Sequence, residues 1–270
     1  ISCENVLKCG CSSPEFNLVF SFKSKPKKEK NFLNKKNYFR EILECSNCGH
    51  MINNHKLNIN NIYTKKYYNL TYKNKNILYD RFREIINLPY KKSDNKHRSN
   101  RVHLFLKNNF DKNQKKILDI GSGTGVFLYE MTKKGYNCIG IEKDNRYVEF
   151  NKNLYNLNVL NRDIFKIKKN KNFRFDLISC NKVLEHLRDP LKFLIEFKKF
   201  KKKNTILYLE VPSVKARKKG KYTGEFGIEH YHIFSASSFK NLISAAGFEV
   251  LKLNDIIEPS GKNSLIIFAK

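Results

Sequence analysis

The stretch KILDIGSGTGVFLYE, residues 116–130, constrains the fold more than any other part of the chain. Residues 116–120 read as a buried strand, glycines at 121, 123 and 125 as a tight turn, and the residues that follow as the start of a helix. Glycines admit positive φ and let the backbone approach a ligand closely. A helix N-terminus directly behind such a turn favours a negatively charged group. A dinucleotide fingerprint needs a third glycine at position 126, where this chain has Val126. The loop is instead D-x-G-x-G-x-G, beginning at Asp119.

From Lys115 onward, apolar runs alternate with helical patterns. Strands are expected at 116–120, 138–142, 157–160, 175–180, 205–210, 248–254 and 263–269. Helices are expected at 124–134, 145–155, 190–200 and 236–246. Only IIEPSGKN separates the last two strands, so they should pair as an antiparallel hairpin. Strands joined by helices should be parallel. The expected fold class is α/β, a Rossmann-like seven-stranded sheet with an antiparallel final hairpin, plus a small N-terminal zinc-binding domain. Three units are expected: 1–60 a zinc-binding module, 61–112 a helical linker or lid, and 113–270 the domain that carries this alternating pattern. In the linker, the spacing of Ile77, Leu78, Phe82, Ile85 and Ile86 is helical, the run YKKSDNKHRSN interrupts it, and a second short helix is expected from Val102 to Asn109.

The second strand ends in CIGIEKD, which puts Glu142 at its tip. An acid there can accept hydrogen bonds from both ribose hydroxyls of a nucleotide. With this motif in place, the stretch 115–270 resembles a class I S-adenosylmethionine-dependent methyltransferase. ILDIGSGTG is similar to that family's first motif, GIEKD to its second, FDLISCNKVLEHLRDP to its fourth-strand segment and LYLEVPS to its fifth strand. The resemblance implies S-adenosyl-L-methionine as methyl donor, with the loop from Asp119 through Gly121, Gly123 and Gly125 along its methionine and ribose end. Glu142 would hold the ribose, Asp163 the adenine amino group, and Asn181 would lie beside the methionine portion.

Five of the seven cysteines fall in the first sixty residues. Cys45 and Cys48, in ECSNCGH, form a C-x-x-C knuckle able to grip one tetrahedral metal. Cys9 and Cys11, in KCGCSS, supply a second pair, so zinc is expected on Cys9, Cys11, Cys45 and Cys48. Cys3 could replace either member of the first pair, and His50 is a less favoured fourth ligand. Cys138 and Cys180 sit in expected strands as small core residues. No export signal precedes the first Cys, so thiols or metal ligands are expected rather than disulfides, in a cytoplasmic protein. A chain beginning with Ile rather than Met is expected to be a fragment. An N-terminal four-cysteine element before this domain resembles the bacterial sugar and polysaccharide methyltransferases.

Acceptor contacts should come from loops leaving the carboxyl ends of the strands. GIEHYHIFS, residues 227–235, follows the fifth strand and gathers Glu229, His230, Tyr231 and His232. In the related sugar methyltransferases a Glu-His pair at this point faces the acceptor. This makes His230 the first candidate for general base, with Glu229 orienting it or binding a hydroxyl. The alternative is that His230 packs against the sheet or caps the helix beginning near Ser235. His186, in VLEHLRDP, is the second candidate. Glu185 and His186 also occur in quinone O-methyltransferases. Lys215, Arg217, Lys218, Lys219 and Lys221 would suit the pyrophosphate of a nucleotide-linked sugar, or form a solvated run.

The formal charge of +28 predicts attraction to polyanions. The same lysine and asparagine excess also arises from an AT-rich genome, and no aromatic platform accompanies the lysine runs. The resemblance to sugar and polysaccharide methyltransferases implies a small-molecule or saccharide acceptor as partner. An RNA methyltransferase with a zinc ribbon, or a non-catalytic binding module, are the alternatives; nucleic acid is not favoured, since NKVLEH stands where amino-methylating enzymes carry an Asn/Asp-Pro-Pro-aromatic motif. No apolar run approaches the ~20 residues of a membrane span. Oligomeric state is not readable.

Overall fold

A computed structural model describes residues 9, 11, 15–27, 29, 38–57, 75–109 and 115–270. Cys3, much of the expected linker and the expected boundaries at 60 and 112 lie outside the described residues.

The N-terminal region contains three strands, β1 (Phe16–Phe22), β2 (Arg40–Cys45) and β3 (Met51–Asn54). The helix α1 (Lys75–Asn87) and α2 (Asp94–Asn109) follow. The second is a full turn and more longer than its apolar residues announce. It begins inside the polar run because the Ser93 hydroxyl accepts the Lys96 backbone N–H at 3.2 Å, satisfying one of the donors that every helix start leaves open. Its buried face is then partly polar, Asn95 and Ser99 before Val102 and Leu106.

The alternating pattern is β4 (Lys116–Ile120), α3 (Val126–Lys133), β5 (Asn137–Glu142), α4 (Asn145–Tyr155), β6 (Val159–Asn161), β7 (Phe175–Asn181), α5 (Pro190–Ile195) and β8 (Lys201–Pro212). A short β9 (His232–Ile233), α6 (Ala236–Ala245), β10 (Val250–Ile257) and β11 (Asn263–Ala269) complete it. The expected helix 190–200 is α-helical only to Ile195 and continues as a 3-10 turn to Phe200.

The seven-stranded sheet has the order β10-β11-β8-β7-β4-β5-β6. Strands joined by helices pair in parallel, and β11 pairs antiparallel with both β10 and β8. This is the Rossmann-like arrangement with an antiparallel end. Its two faces carry separate cores. Leu118, Ile178, Leu207, Phe197 and Phe239 pack on one, and Ile117, Leu177, Tyr208, Val102 and Phe127 on the other. A buried ion cluster fastens α2 to the sheet. Arg98 donates to Glu210 on β8 at 2.6 and 2.8 Å, and Arg101 reaches both Glu210 and Glu258 at 3.4 Å. Although burial alone would raise it, Arg98, Lys182 and Arg101 hold the Glu210 carboxyl well below the usual carboxylate range.

The second sheet has the order β1-β2-β3-β9. Its fourth strand comes from far along the chain, with Met51 opposite Ile233 and Ile52 opposite His232. The core beneath it is shared in the same way: Phe22, Ile42 and Met51 pack with Phe226, Ile228 and Ile233. Among the described residues no helix is long and apolar enough to cross a membrane.

Candidate active site

The glycine loop sits between the ends of β4 and β5, where Gly121 N–H donates to Ile141 O at 2.8 Å. Gly123 has φ +51°, and a Cβ there would meet nothing within 4 Å, so the loop's open side faces this residue. Gly125, at φ +75°, is closed on the other side: a Cβ would lie 2.0 Å from Asn151 Oδ1. Glu142 is bound to the loop, one carboxylate oxygen accepting Gly123 N–H and the other Asp144 N–H, each at 2.9 Å. Burial raises its pKa, and those backbone donors oppose the shift.

Asp119 lies beneath the loop. Its Oδ1 accepts the Ser179 hydroxyl at 2.6 Å and the Asn181 amide at 3.1 Å. Burial pushes its pKa up to about 7. Here it orients Asn181, whose Oδ1 is buried without a hydrogen-bond partner. An orphaned acceptor at the carboxyl end of β7, beside an open glycine loop and the Glu142 carboxylate, fits a bound nucleoside with an amino group near Asn181. Asp163 stands at the end of β6, where its carboxylate accepts Phe165 N–H at 3.1 Å and pairs with Lys143 at 3.3 Å.

Two loops meet over the carboxyl ends of β7 and β8. Glu185 and His186 form a 3-10 turn after β7, and His230 arrives from the loop before β9. The side-chain ligand atoms of Glu185, His186 and His230 all lie within 4.8 Å of one another. His230 Nδ1 donates to Glu225 O at 2.9 Å, and His186 Nδ1 donates to Glu229 O at 3.0 Å. Each bond assigns the proton to Nδ1 and leaves Nε2 as the acceptor nitrogen. Burial lowers the His230 pKa and the His186 charge lowers it further, against the raising effect of Glu185 and Glu229. Glu229 turns back over Gly227, where a Cβ would meet its Oε2 at 2.7 Å.

Glu185 is the acid that sequence reasoning passed over as a site residue. It is 1% exposed, and its Oε2 is buried without a partner. The only sequence signal is its place before His186, and its nearness to His230 depends on the fold.

His232 does not join that group. On β9 it faces the N-terminal sheet, its Nδ1 3.0 Å from His50 Nε2, while His50 Nδ1 meets the Ser238 hydroxyl at 3.0 Å. His50 is thereby turned away from the cysteines. Cys9, Cys11, Cys45 and Cys48 do come together, their sulfurs all within 4.8 Å. The knuckle is formed by Cys45 N–H donating to His50 O and Gly49 N–H to Cys45 O, each 2.8 Å. Burial pushes the Cys9 thiol up to about 12 and raises Cys48, whereas Cys45 is lowered, since backbone N–H donors and Cys9 outweigh its burial. Four crowded thiols that cannot all ionise alone fit a bound divalent cation, which would supply the missing positive charge. Cys180 is buried as expected, and Cys138 is only half-buried.

The basic loop after β8 is engaged within the fold. Lys215 pairs with Asp255 at 3.1 Å, and Arg217 with both oxygens of Glu44 at 2.8 and 2.9 Å. Lys219 contacts Gly261 O, and Lys221 lies over the Phe22 ring. These cations are not gathered around one anion site.

Residues 90–253 match the family model described as "Methyltransferase domain". A ubiquinone biosynthesis O-methyltransferase of Pelagibacter ubique is 31% identical over 101 residues, which are 35% of this chain and 40% of that protein. The matched stretch thus spans about two fifths of that relative's length. A protein of the same name from Rickettsia canadensis is 24% identical over 164 residues, 54% of this chain and 68% of its own. The fold is similar to magnesium protoporphyrin IX methyltransferase from Synechocystis PCC 6803 with bound SAH, at TM-score 0.54 and 16% identity over 76% of this chain and 96% of that one. It is also similar to a SAM-dependent methyltransferase from Aquifex aeolicus, at TM-score 0.53 and 20% identity over 73% and 97%.

Proposed function

The chain belongs to the methyltransferase-domain family, and on that premise we propose that it is an S-adenosyl-L-methionine-dependent methyltransferase acting on a hydroxyl of a small-molecule acceptor. The observation that carries this reading is His230, fixed by its Nδ1 bond to Glu225 O with a ring nitrogen within 4.8 Å of ligand atoms of Glu185 and His186. The donor, when bound, supplies an electrophilic methyl group. The chain's own residues do the rest. Gly123 and Glu142 would seat the ribose end, and Asn181, held by Asp119, would accept from the methionine amino group. His230, neutral at pH 7 by virtue of its lowered pKa, would take the hydroxyl proton as the methyl arrives. Glu185 would stabilise the imidazolium so formed, and His186 would close the pocket on the fourth-strand side. Asp163 remains the candidate for the adenine amino group, with Lys143 beside it.

A saccharide acceptor is the finer reading. It is supported by the resemblance of the four-cysteine element and of the Glu-His loop to sugar methyltransferases. The relatives named as ubiquinone biosynthesis O-methyltransferases support the coarser class, a small molecule. We assign zinc to Cys9, Cys11, Cys45 and Cys48, and a structural role to it, since four protein ligands leave no open position.

The test is transfer of labelled methyl from S-adenosylmethionine to a panel of sugars, nucleotide sugars, quinols and total RNA. Label in a small-molecule fraction, lost in His230→Ala, is the expected result. Label in RNA alone would overturn the acceptor class, and an unaffected His230→Ala would overturn the base.

A further inference from the structure

The loop that carries His230 is held from both sides, and one side is the N-terminal sheet. On the catalytic side, Tyr231 N–H donates to Glu185 O at 2.7 Å and His186 Nδ1 donates to Glu229 O at 3.0 Å. On the other side, a single residue brackets the turn. Asn53 is the β3 residue just past the two that pair with β9. Its backbone N–H donates to Tyr231 O at 3.1 Å, and its side-chain Nδ2 donates to Gly227 O at 3.0 Å. His230 lies between those two anchor points, its own N–H donating to the same Gly227 O at 3.0 Å.

Asn53 is itself fixed. It is 2% exposed, and a buried amide is costly unless its polar atoms are all engaged. Its Oδ1 accepts Arg40 Nη1 at 3.4 Å. Arg40, also buried, pairs with Glu29 at 3.0 Å, receives support from the Tyr38 hydroxyl at 2.6 Å and stacks on the Phe22 ring at 3.7 Å. The same Glu29 oxygen accepts Ile228 N–H at 3.2 Å, a third anchor on the turn. Asn53, Arg40, Glu29, Tyr38 and Phe22 all belong to the cysteine-bearing unit, whose described residues contribute no side chain to the Glu185–His186–His230 group.

We propose that Asn53 is a positioning residue for His230: through the Gly227 carbonyl it sets the pitch of the turn that keeps the His230 Nδ1 proton on Glu225 O and the Nε2 lone pair directed at the acceptor. The proposal rests on the reading of His230 as the base. Its structural content is independent of that reading, because the tautomer of His230 is measurable without any acceptor. An imidazole with its Nδ1–H bond intact holds one tautomer, and one released from Glu225 O exchanges between two.

The experiment uses the full chain with metal bound, labelled with ¹⁵N in histidine. Asn53→Asp keeps the acceptor oxygen for Arg40 and replaces the donor facing Gly227 O by a second oxygen. Asn53→Ala removes both. Neither touches the backbone pairing of β3 with Tyr231 and β9, which should keep the sheet intact. The wild-type spectrum should show His230 as the Nδ1–H tautomer alone. Both variants should raise the Nε2–H form to about a fifth of the population or more. S-adenosylhomocysteine affinity should stay within about twofold, and with an acceptor in hand kcat should fall at least about tenfold with little change in KM. A single unchanged tautomer in both variants overturns the proposal. So does loss of the folded amide spectrum in both, which would make Asn53 a folding contact only. If the tautomer shifts while kcat does not, Asn53 positions the ring as proposed and the assignment of His230 as base is what fails.

Discussion

The imidazoles of His186 and His230 meet edge to face, ring centroids 4.7 Å apart and planes at 66°. Two loops that leave different strands thus place their histidines in one contact, and removing either should have distinct effects. His230→Ala should lower kcat by at least about a hundredfold, the scale of a positioned general base, with cofactor affinity nearly unchanged. His186→Ala should be milder in kcat. Steady-state kinetics on the two variants side by side check this; a dead His186→Ala with a near-normal His230→Ala would move the base to the fourth-strand loop.

The same contact sets the pH response. Burial and the His186 charge hold the His230 pKa below its ordinary value of 6.5. With His230 as the proposed base the active form is the neutral ring, so kcat should rise with pH through a limb lying below pH 6.5 and be level at neutrality. Glu185→Gln removes a group that favours the protonated ring and should move that limb to lower pH. His186→Ala removes the neighbouring imidazole that opposes protonation of His230 and should move it to higher pH. Opposite signs in the two pH–rate profiles are the expected outcome.

Glu142 should govern donor affinity. Glu142→Ala loses the carboxylate that faces the open side of the loop, and titration calorimetry with S-adenosylhomocysteine should show binding weakened by about 1–3 kcal/mol, the value of a hydrogen bond to a charged group.

Stability should also depend on pH through His232. Burial depresses its pKa to about 4 in the folded protein, against 6.5 for the ordinary group. A depressed pKa means the unfolded chain binds the extra proton first, so stability is full above pH 6.5 and is lost as pH falls towards 4. The loss should amount to no more than about 3 kcal/mol. Denaturant melts of wild type and His232→Asn across that window isolate it.

Cys45→Ser should release the metal and lower the melting temperature without altering the glycine loop. Elemental analysis should find one zinc per chain in the wild type and a substoichiometric amount in the variant. Glu210→Ala gives a contrasting stability test: it leaves Arg98 buried and unpaired, which should cost about 3–5 kcal/mol.

Much of the sheet was legible because its strands are continuous apolar runs separated by helical periods. The glycine loop, the order of alternation and the final hairpin all leave local marks of this kind. The N-terminal sheet leaves few. FNLVFSF and REILEC mix polar with apolar residues, and their fourth partner is two residues long and lies near the other end of the chain. The meeting of the four cysteines was foreshadowed by the C-x-x-C of Cys45 and Cys48 and the C-x-C of Cys9 and Cys11, and that of His186 with His230 by their motifs. Glu185 and Asn53 were not. Nothing in VLEH or MINN announces that one will face His230 and the other will clasp the turn before it; both facts arise from pairing across distant segments. The start of α2 was missed for a different reason, since a capping serine outweighed a run of polar residues.

The two-residue strand His232–Ile233 also bears on how such proteins can be recombined. It covers the open edge of β3, and Ser213 bridges Phe234 beside it. A graft that moved only the cysteine-bearing hairpins to another catalytic domain would leave that cover behind. The exposed row of N–H and C=O groups would then invite pairing with a second chain. A transplantable cassette has to carry residues 213–235 with it, so lineages should exchange the two pieces as a matched set, and chimaeras cut between them should aggregate rather than simply lose activity.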